Sequence, residues 1–295
     1  MMRIISVGIV GAGLMGLGMA CSAARAGFRV SVRDNDPARE ALALEAGLAV
    51  VPTPATLVRQ ADVIAIVVVD AAQIDAVLEG PDGLLAALSP GRLVLVCSTI
   101  APEDSARVCA HIEATGAAAI DAPISGGPAR AHAGTLSIML AGDPGALQAA
   151  QPLLQVLATR HFVIGTRQGD ASRAKLVNNL MAGIHLMAAA EAVALAERLG
   201  LDPAQMVELI GASSGQSWMA DDRLPRALAG DLAPRAQSQV LAKDLRLAND
   251  AARRAGVALP LGAVAQQLFG ELCEGGWRQH DDAAALAYYR QRFGR

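Results

Sequence analysis

RIISVGIVGAGLMGLGMACSAARAGFRVSVRD, residues 3–34, passes from a short apolar run through three closely spaced glycines into a helical stretch, then into a second run of strand character. Arg3–Val10 and Arg29–Asp34 carry the β-branched content of strands, whereas Leu14–Ala26 is built from small and apolar helix formers. A strand, a helix and a strand in so short a span form a βαβ unit, which implies a parallel sheet. The same alternation continues through a helical Pro37–Ala46 and the apolar runs Val63–Val69 and Leu93–Cys97. Helix-starting signals at Asp36-Pro37 and Ala101-Pro102-Glu103 follow strands. Continuous apolar strands such as VIAIVVV suit a sheet covered by helices on both faces, so residues 1–165 are expected to form an α/β domain with a doubly wound parallel sheet of the Rossmann type.

Past Gly165 the strand signals vanish. Ser172–Leu199 reads as one long helix that is apolar on most faces, the mark of a buried spine. Helices at Pro203–Ala212, Gln237–Ala255, Leu261–Glu274 and Asp281–Arg292 follow, separated by Gly/Ser/Pro-containing loops. The C-terminal domain, residues 166–295, is therefore expected to be all-α and to serve substrate binding and oligomerisation, with a hinge near residues 160–170.

Composition narrows the classes of function. The 295 residues are 53% hydrophobic and 18% charged with a net charge of −3, which describes a soluble globular protein and lacks the basic excess of a nucleic-acid or anionic-membrane binder. The apolar runs stop short of the roughly 20 residues of a membrane span, and the apolar N-terminus leads into a glycine turn, so a cytoplasmic location is expected. Cys21, Cys97, Cys109 and Cys273 have neither metal-ligand spacing nor a disulfide framework and sit among apolar neighbours, as reduced, buried thiols do. The five histidines form no ligand cluster, and no metal is expected.

GAGLMG places Gly11, Gly13 and Gly16, with Leu14 and Met15, between a strand and a helix. In that context the glycines permit a tight turn, close approach of a pyrophosphate and tight helix–strand packing, so a dinucleotide site is expected there. Asp34, eighteen positions after Gly16 at the end of the second strand, can accept hydrogen bonds from an adenosine ribose and repel a 2′-phosphate. This favours NAD, while Arg33 and Arg39 leave NADP open and capping of the next helix is a competing role for the aspartate.

Of 25 basic residues only Lys175 and Lys243 are lysines. Arginine stays protonated at any working pH, whereas a lysine can release its proton, so a retained lysine is a candidate for proton transfer.

Two further segments, DAPISGGPARAHAGTL (121–136) and KLVNN (175–179), join the glycine-rich turn, Ser98-Thr99 and KDL (243–245) in an order that resembles the β-hydroxyacid dehydrogenase, or 3-hydroxyisobutyrate dehydrogenase, family over nearly the whole chain. The resemblance implies that Ser125, with the amides around Gly126 and Gly127, holds a substrate carboxylate, and glycines do let amides converge on an anion. It makes Lys175 the catalytic acid/base, accepting the alcohol proton as hydride leaves for nicotinamide and returning it in the reverse direction. Asn179, one helical turn later, shares the substrate pocket. Lys243, Thr99 and Val69 fall to the cofactor side, with Asp244 an orienting partner of Lys243. Capping by Ser98 or Thr99 is the alternative role for that pair. Burial between domains, a positive nicotinamide ring and the second lysine would each disfavour a protonated Lys175.

SSGQSWMADDR, GDLAP, LPL and HDD in the C-terminal part look most like the L-threonate dehydrogenase branch, whose substrates are four-carbon sugar acids, although Asp70 and Gln216 depart from asparagines of that branch. Serine, threonine and 3-hydroxyisobutyrate stay open as substrates. Trp218, in what reads as a Gly/Ser loop, either walls the pocket or anchors the loop. The rival readings are an imine or semialdehyde reductase, a 6-phosphogluconate dehydrogenase, and a non-catalytic dinucleotide sensor. Retention of Lys175 argues against the first, chain length against the second, and the SGG element against the third. A homo-oligomer is expected from the apolar helices.

Overall fold

β1 (Ser6–Val10) is buried along its whole length, as a central strand covered on both faces must be. The computed structural model describes residues 4–294 and falls into two compact units, Met1–Lys175 and Leu176–Arg295. The first unit contains β2 (Arg29–Arg33), β3 (Ala49–Val50), β4 (Val63–Ile66), β5 (Leu93–Val96), β6 (Ala118–Asp121), β7 (Ile124–Ser125), β8 (Leu136–Gly142) and β9 (Ala158–Gly165). Its helices are α1 (Leu14–Arg25), α2 (Pro37–Glu45), α3 (Pro54–Gln60), α4 (Ala71–Leu78), α5 (Pro102–Glu113), α6 (Gly127–Ala133) and α7 (Pro144–Leu157). α8 (Asp170–Arg198) begins in this unit and continues into the second.

The strand order is β3-β2-β1-β4-β5-β6-β8-β7, with β9 paired to β8. From β3 to β6 every pairing is parallel, with Val10 opposite both Arg33 and Ile66, Ile66 opposite Val96, and Val96 opposite Asp121. Five strands therefore end in register at one carboxyl edge, and the order reverses at β1, the position where open α/β sheets leave a crevice for ligands.

Alternation along the strands divides the core. Val7, Ile9, Val63, Ala65, Leu93 and Leu95 pack with residues of α1, α6 and α7, while Ile64, Ile66, Val94 and Val96 pack with those of α3, α4 and α5. The run Val63–Val69 is shorter as a strand than its composition predicts, because residues 67–69 turn out over the sheet edge. Beyond β6 the sheet becomes mixed: β8 runs antiparallel to β6 and β7, and parallel to β9.

The second unit is helical, with α9 (Pro203–Gly211), α10 (Trp218–Leu228), α11 (Ser238–Arg254), α12 (Pro260–Leu272) and α13 (Ala285–Arg292) around the greater part of α8. Leu186, Met187, Ala190 and Val193 of α8 meet Met219, Leu224, Leu245, Phe269 and Tyr289 in one core. By length and composition α8 would suffice to cross a membrane, a candidate that counting uninterrupted apolar runs overlooks. Leu186, Met187, Ala190 and Val193 make it the spine of that core, packed among five other helices, while Val177, Met181 and Leu195 are exposed.

α10 corrects the reading of SSGQSWMADDR as a loop. Ser217 is an N-cap that accepts a hydrogen bond from the Ala220 amide at 3.1 Å, and Trp218 opens the helix. Arg223 and Arg226 of α10 pair with Asp282 at 2.6 Å and Asp281 at 2.9 Å, which gives the HDD segment a structural role. Asp281 also accepts from the Arg235 and Ala236 amides.

Candidate active site at the carboxyl edge

Gly11 has φ +95°, and a side chain there would meet the Val67 carbonyl oxygen at 2.5 Å, so both the turn and the packing against the β4 exit require glycine. A Cβ on Gly16 would lie 1.9 Å from the Gly11 carbonyl oxygen, which accounts for close packing of α1 on the loop. Gly13 differs from both: no atom lies within 4 Å of the position its Cβ would take. It caps α1, a helix with no acidic residue in its first turn, and Leu14 and Met15 are the first two helical residues. Open space against exposed amides at a helix N-terminus suits a pyrophosphate, so the loop fits a dinucleotide.

Asp34 follows β2 directly. Its carboxylate accepts from the Ala12 amide at 2.5 Å and the Asp36 amide at 2.9 Å, which ties the glycine loop to the end of β2. Capping of α2 falls instead to Asp36, which accepts from Ala38. Arg33 is engaged by Glu40 at 2.5 Å, and Arg39 lies 3.9 Å from Asp36.

Val69 is exposed beyond β4, with its amide donating to the Gln73 side chain at 2.9 Å. Asp70 caps α4 by accepting from Gln73. Ser98 is buried and its hydroxyl accepts from the Val68 amide at 3.1 Å, joining the exits of β4 and β5. Neither Ser98 nor Thr99 caps α5, whose N-cap is Ala101 without a side-chain bond. Thr99 is thus placed on the carboxyl edge beside the glycine loop's strand neighbours, with no capping duty.

Ser125 closes β7 opposite Ser137, and Gly126, with φ +134°, turns the chain into α6. α6 packs on α1 so closely that a Cβ on Gly18 would meet Ala131 at 2.8 Å, which fixes the Ser125–Gly127 turn against the helix that opens at Gly13.

Asp121, at the end of β6, has no surface exposure. Its carboxylate accepts from the Gly169 amide at 3.0 Å, the Ser172 amide at 2.9 Å and the Ser172 hydroxyl at 2.7 Å. Burial pushes this carboxyl up, against the hydrogen bonds from Ser172 and Gly169. Burial likewise pushes the neighbouring Cys97 thiol up to about 12. Gln168 completes the clamp, accepting from the Asp121 amide at 3.2 Å and donating to the Ala119 carbonyl at 2.9 Å. Sequence reasoning quotes Asp121 inside its motif yet gives it no part to play, and it passes over Gln168 and Ser172.

Lys175 lies on α8 one turn after Ser172, with only 6% of its surface exposed, and Asn179 is buried one turn further on the same helical face. In the helical unit the Asn179 amide donates to Asp244 at 2.5 Å, and Lys243 pairs with the other oxygen of the same carboxylate at 2.8 Å. Asn178 is held sideways, donating to the Asn179 oxygen at 2.9 Å. Trp218 is 45% exposed with the Arg223 guanidinium 5.5 Å from its ring centroid, so it is Met219, buried beside it, that anchors this segment to the core. Among the described residues no group of three or more His, Cys, Asp or Glu side chains is placed to hold a metal ion.

Residues 6–165 match the NAD-binding domain of 6-phosphogluconate dehydrogenase, and residues 169–289 match the NAD-binding segment of NADP-dependent 3-hydroxyisobutyrate dehydrogenase. The chain is similar to L-threonate dehydrogenase of Cupriavidus necator, with 37% identity over 96% of each chain. It is 33% identical to the NAD-dependent L-serine dehydrogenase of Pseudomonas aeruginosa over 93% of this chain and 94% of that one. The crystal structure of 3-hydroxyisobutyrate dehydrogenase from Salmonella typhimurium superposes with a TM-score of 0.90 at 34% identity, covering 96% of this chain and 99% of the other. Matched from the glycine loop through the helical unit, the chain belongs to the β-hydroxyacid dehydrogenase family of 3-hydroxyisobutyrate dehydrogenase and is an NAD(P)-dependent oxidoreductase.

Proposed function

We propose that the protein oxidises the 2- or 3-hydroxyl of a four-carbon sugar acid, L-threonate, with Lys175 as the acid/base. The observation that carries this reading is a buried amine at position 175 in a chain that otherwise writes its cations almost entirely as arginine. A buried arginine could supply charge but no proton exchange, whereas a lysine in its neutral form can take the hydroxyl proton. The bound nicotinamide supplies hydride acceptance.

The chain's own residues have distinct tasks in this reading. The Ser125 hydroxyl and the amides of Gly126 and Gly127 hold the substrate carboxylate. Lys175 accepts the alcohol proton during oxidation and donates it during reduction. Asn179, oriented by Asp244, binds a substrate oxygen near that amine, and Lys243 serves the cofactor side. Trp218 limits substrate size. Gly11, Gly13, Leu14, Met15 and Gly16 would hold the pyrophosphate of the dinucleotide, and Val69 and Thr99 would serve its nicotinamide portion.

NAD is the preferred cofactor. Asp34 holds a carboxylate at the end of β2 that would repel a 2′-phosphate, and Arg33 beside it is paired with Glu40. The unpaired thiols of the four cysteines fit a cytoplasmic location, and the exposed Val177, Met181 and Leu195 of α8 fit a homo-oligomer.

The test is reduced-cofactor formation from NAD and from NADP on L-threonate, D-threonate, serine, threonine, 3-hydroxyisobutyrate and glycerate, repeated with Lys175→Ala and Lys175→Arg. L-threonate with NAD is expected to give the highest kcat/KM, and both variants should lose about 10²–10⁴-fold in kcat. A Lys175→Ala protein with near wild-type kcat would remove the lysine from the chemistry, and faster turnover of another acid would replace the substrate.

A further inference from the structure

The strand that leads into the Ser125–Gly127 turn ends at Asp121, and α8, which carries Lys175, begins against the same residue. Three donors converge on the Asp121 carboxylate, two of them amides at the start of α8 and the third the Ser172 hydroxyl. A carboxylate here caps the helix from another part of the chain and opposes the partial positive charge of its N-terminus. From Ser172 to Lys175 the helix rises only about 4.5 Å, so the turn gripped by Asp121 is the turn that aims the lysine.

We propose that Asp121 is a positioning residue for the reaction: its buried carboxylate fixes the first turn of α8 to the end of β6, and thereby sets the Lys175 amine relative to the Ser125–Gly127 turn. The proposal rests on the reading of Lys175 as acid/base. Ser125 lies four positions after Asp121 and Lys175 three positions after Ser172, so a single carboxylate joins the substrate turn to the proton-transfer residue through short stretches of chain. The Gln168 side chain reinforces the joint by pairing with both Asp121 and Ala119 of β6, and it is itself held by Glu113 at 2.9 Å.

The groups of the sheet that face Asp121, Cys97 and Cys109, are both pushed up by burial, and the carboxylate acts on Lys175 through the geometry of the first turn of α8.

The test compares wild type with Asp121→Asn, Ser172→Ala, Lys175→Ala and the double variant Asp121→Asn/Lys175→Ala, measuring NADH affinity, melting temperature, and kcat and KM for the fastest hydroxy acid of the panel. Asparagine keeps the shape and an acceptor oxygen but removes the charge. Asp121→Asn is expected to lower kcat about tenfold while leaving KM and the Kd for NADH within about twofold. Ser172→Ala, which removes one donor and keeps both amides, should lower kcat about two- to fivefold with KM unchanged. In the Lys175→Ala background Asp121→Asn should add little, because the group it positions is gone.

A folded Asp121→Asn protein with unchanged kcat would overturn the proposal, as would an equal loss with and without Lys175. If Asp121→Asn fails to fold, Ser172→Ala decides, and a wild-type kcat in that variant overturns the proposal. A Lys175→Ala protein that keeps wild-type kcat ends the acid/base reading itself, whatever Asp121 does, so the two failures are told apart by which variant retains activity.

Discussion

Replacing Gly13 and Gly16 separately by alanine should split cofactor binding from stability. At Gly16 the new methyl would sit 1.9 Å from the Gly11 carbonyl oxygen and 3.3 Å from Ile9 Cγ2, where an ordinary carbon–oxygen contact is about 3.3 Å or longer. The backbone must therefore yield by more than about 1 Å inside a buried turn, an overpacking cost of roughly 1–3 kcal/mol or more. For a unit of this size that is a fall of about 2–12 °C in melting temperature. At Gly13 the same methyl enters empty space, and φ −62°, ψ −176° is open to any residue. The gain from a stiffer unfolded chain and the loss of a tolerated glycine cap roughly cancel, within about 1 kcal/mol.

Dinucleotide affinity should respond the other way at Gly13. A methyl in the open space before α1 obstructs the pyrophosphate and should weaken NADH binding at least about tenfold, or 1.4 kcal/mol. Fluorescence titration with NADH gives Kd, and melting curves with and without NADH give stability and its linkage to ligand. A Gly13→Ala protein that melts as low as Gly16→Ala would refute the reading of Gly13 as unencumbered. One that binds NADH as tightly as wild type would show that the cofactor does not use this space.

Three further outcomes are expected. Thiol titration at pH 8 should label Cys21 rapidly, since it alone is partly exposed, while Cys97, Cys109 and Cys273, all buried and pushed up by burial, should react only after unfolding; fast labelling of two or more native thiols would contradict the packing. Burial alone would raise the Asp62 carboxyl, but hydrogen bonds from the Ile5 amide and from the Ser6 hydroxyl and amide hold it below its ordinary value. Its stabilisation is then present above about pH 4 and lost as pH falls through the depressed value, so Asp62→Asn should lower the melting temperature at pH 7 and converge with wild type near pH 3, and a constant gap across that range would count against it. Asp34→Ser should shift the NAD/NADP ratio of kcat/KM at least about tenfold toward NADP, and an unchanged ratio would remove Asp34 from cofactor choice.

The parallel half of the sheet was legible because its signals are local and agree with one another. Val10, Ile66 and Val96, which end β1, β4 and β5, lie within apolar runs that follow one another in register. The antiparallel portion was not, because Ile124–Ser125 is a two-residue strand within a glycine-rich turn, and β9 exposes Phe162, Val163 and Ile164 in a row, which erases the alternation of a half-buried strand. α10 was hidden for a different reason. Arg223 occupies a buried position by virtue of its bond to Asp282, and a charged residue at a core position breaks the period that would announce an amphipathic helix.

The candidate site has the same division between residues and their partners. Lys175, Asn179, Lys243 and the Ser-Gly-Gly turn are picked out by type and order, and Lys243 has its partner Asp244 next to it, but the groups that hold Ser172 and Asn179 are supplied from far along the chain. Asp121 grips Ser172 across 51 residues, Asp244 holds Asn179 across 65, and Asp62 fastens the start of β1 across 56. A helix cap read from sequence is sought within three or four residues of the helix it serves, and these carboxylates lie outside any such window. Each is an acceptor-only group that can take several donors at once, so a single aspartate can bind two amides and a hydroxyl and stay folded into the interior where an amide or alcohol would leave a donor unmet. An aspartate closing a buried parallel strand has the chemistry to cap a distant helix, since the strand's end leaves its carboxylate at the sheet edge where helices begin. Asp121 meets that description in the sequence itself, and only the identity of the helix had to come from the fold.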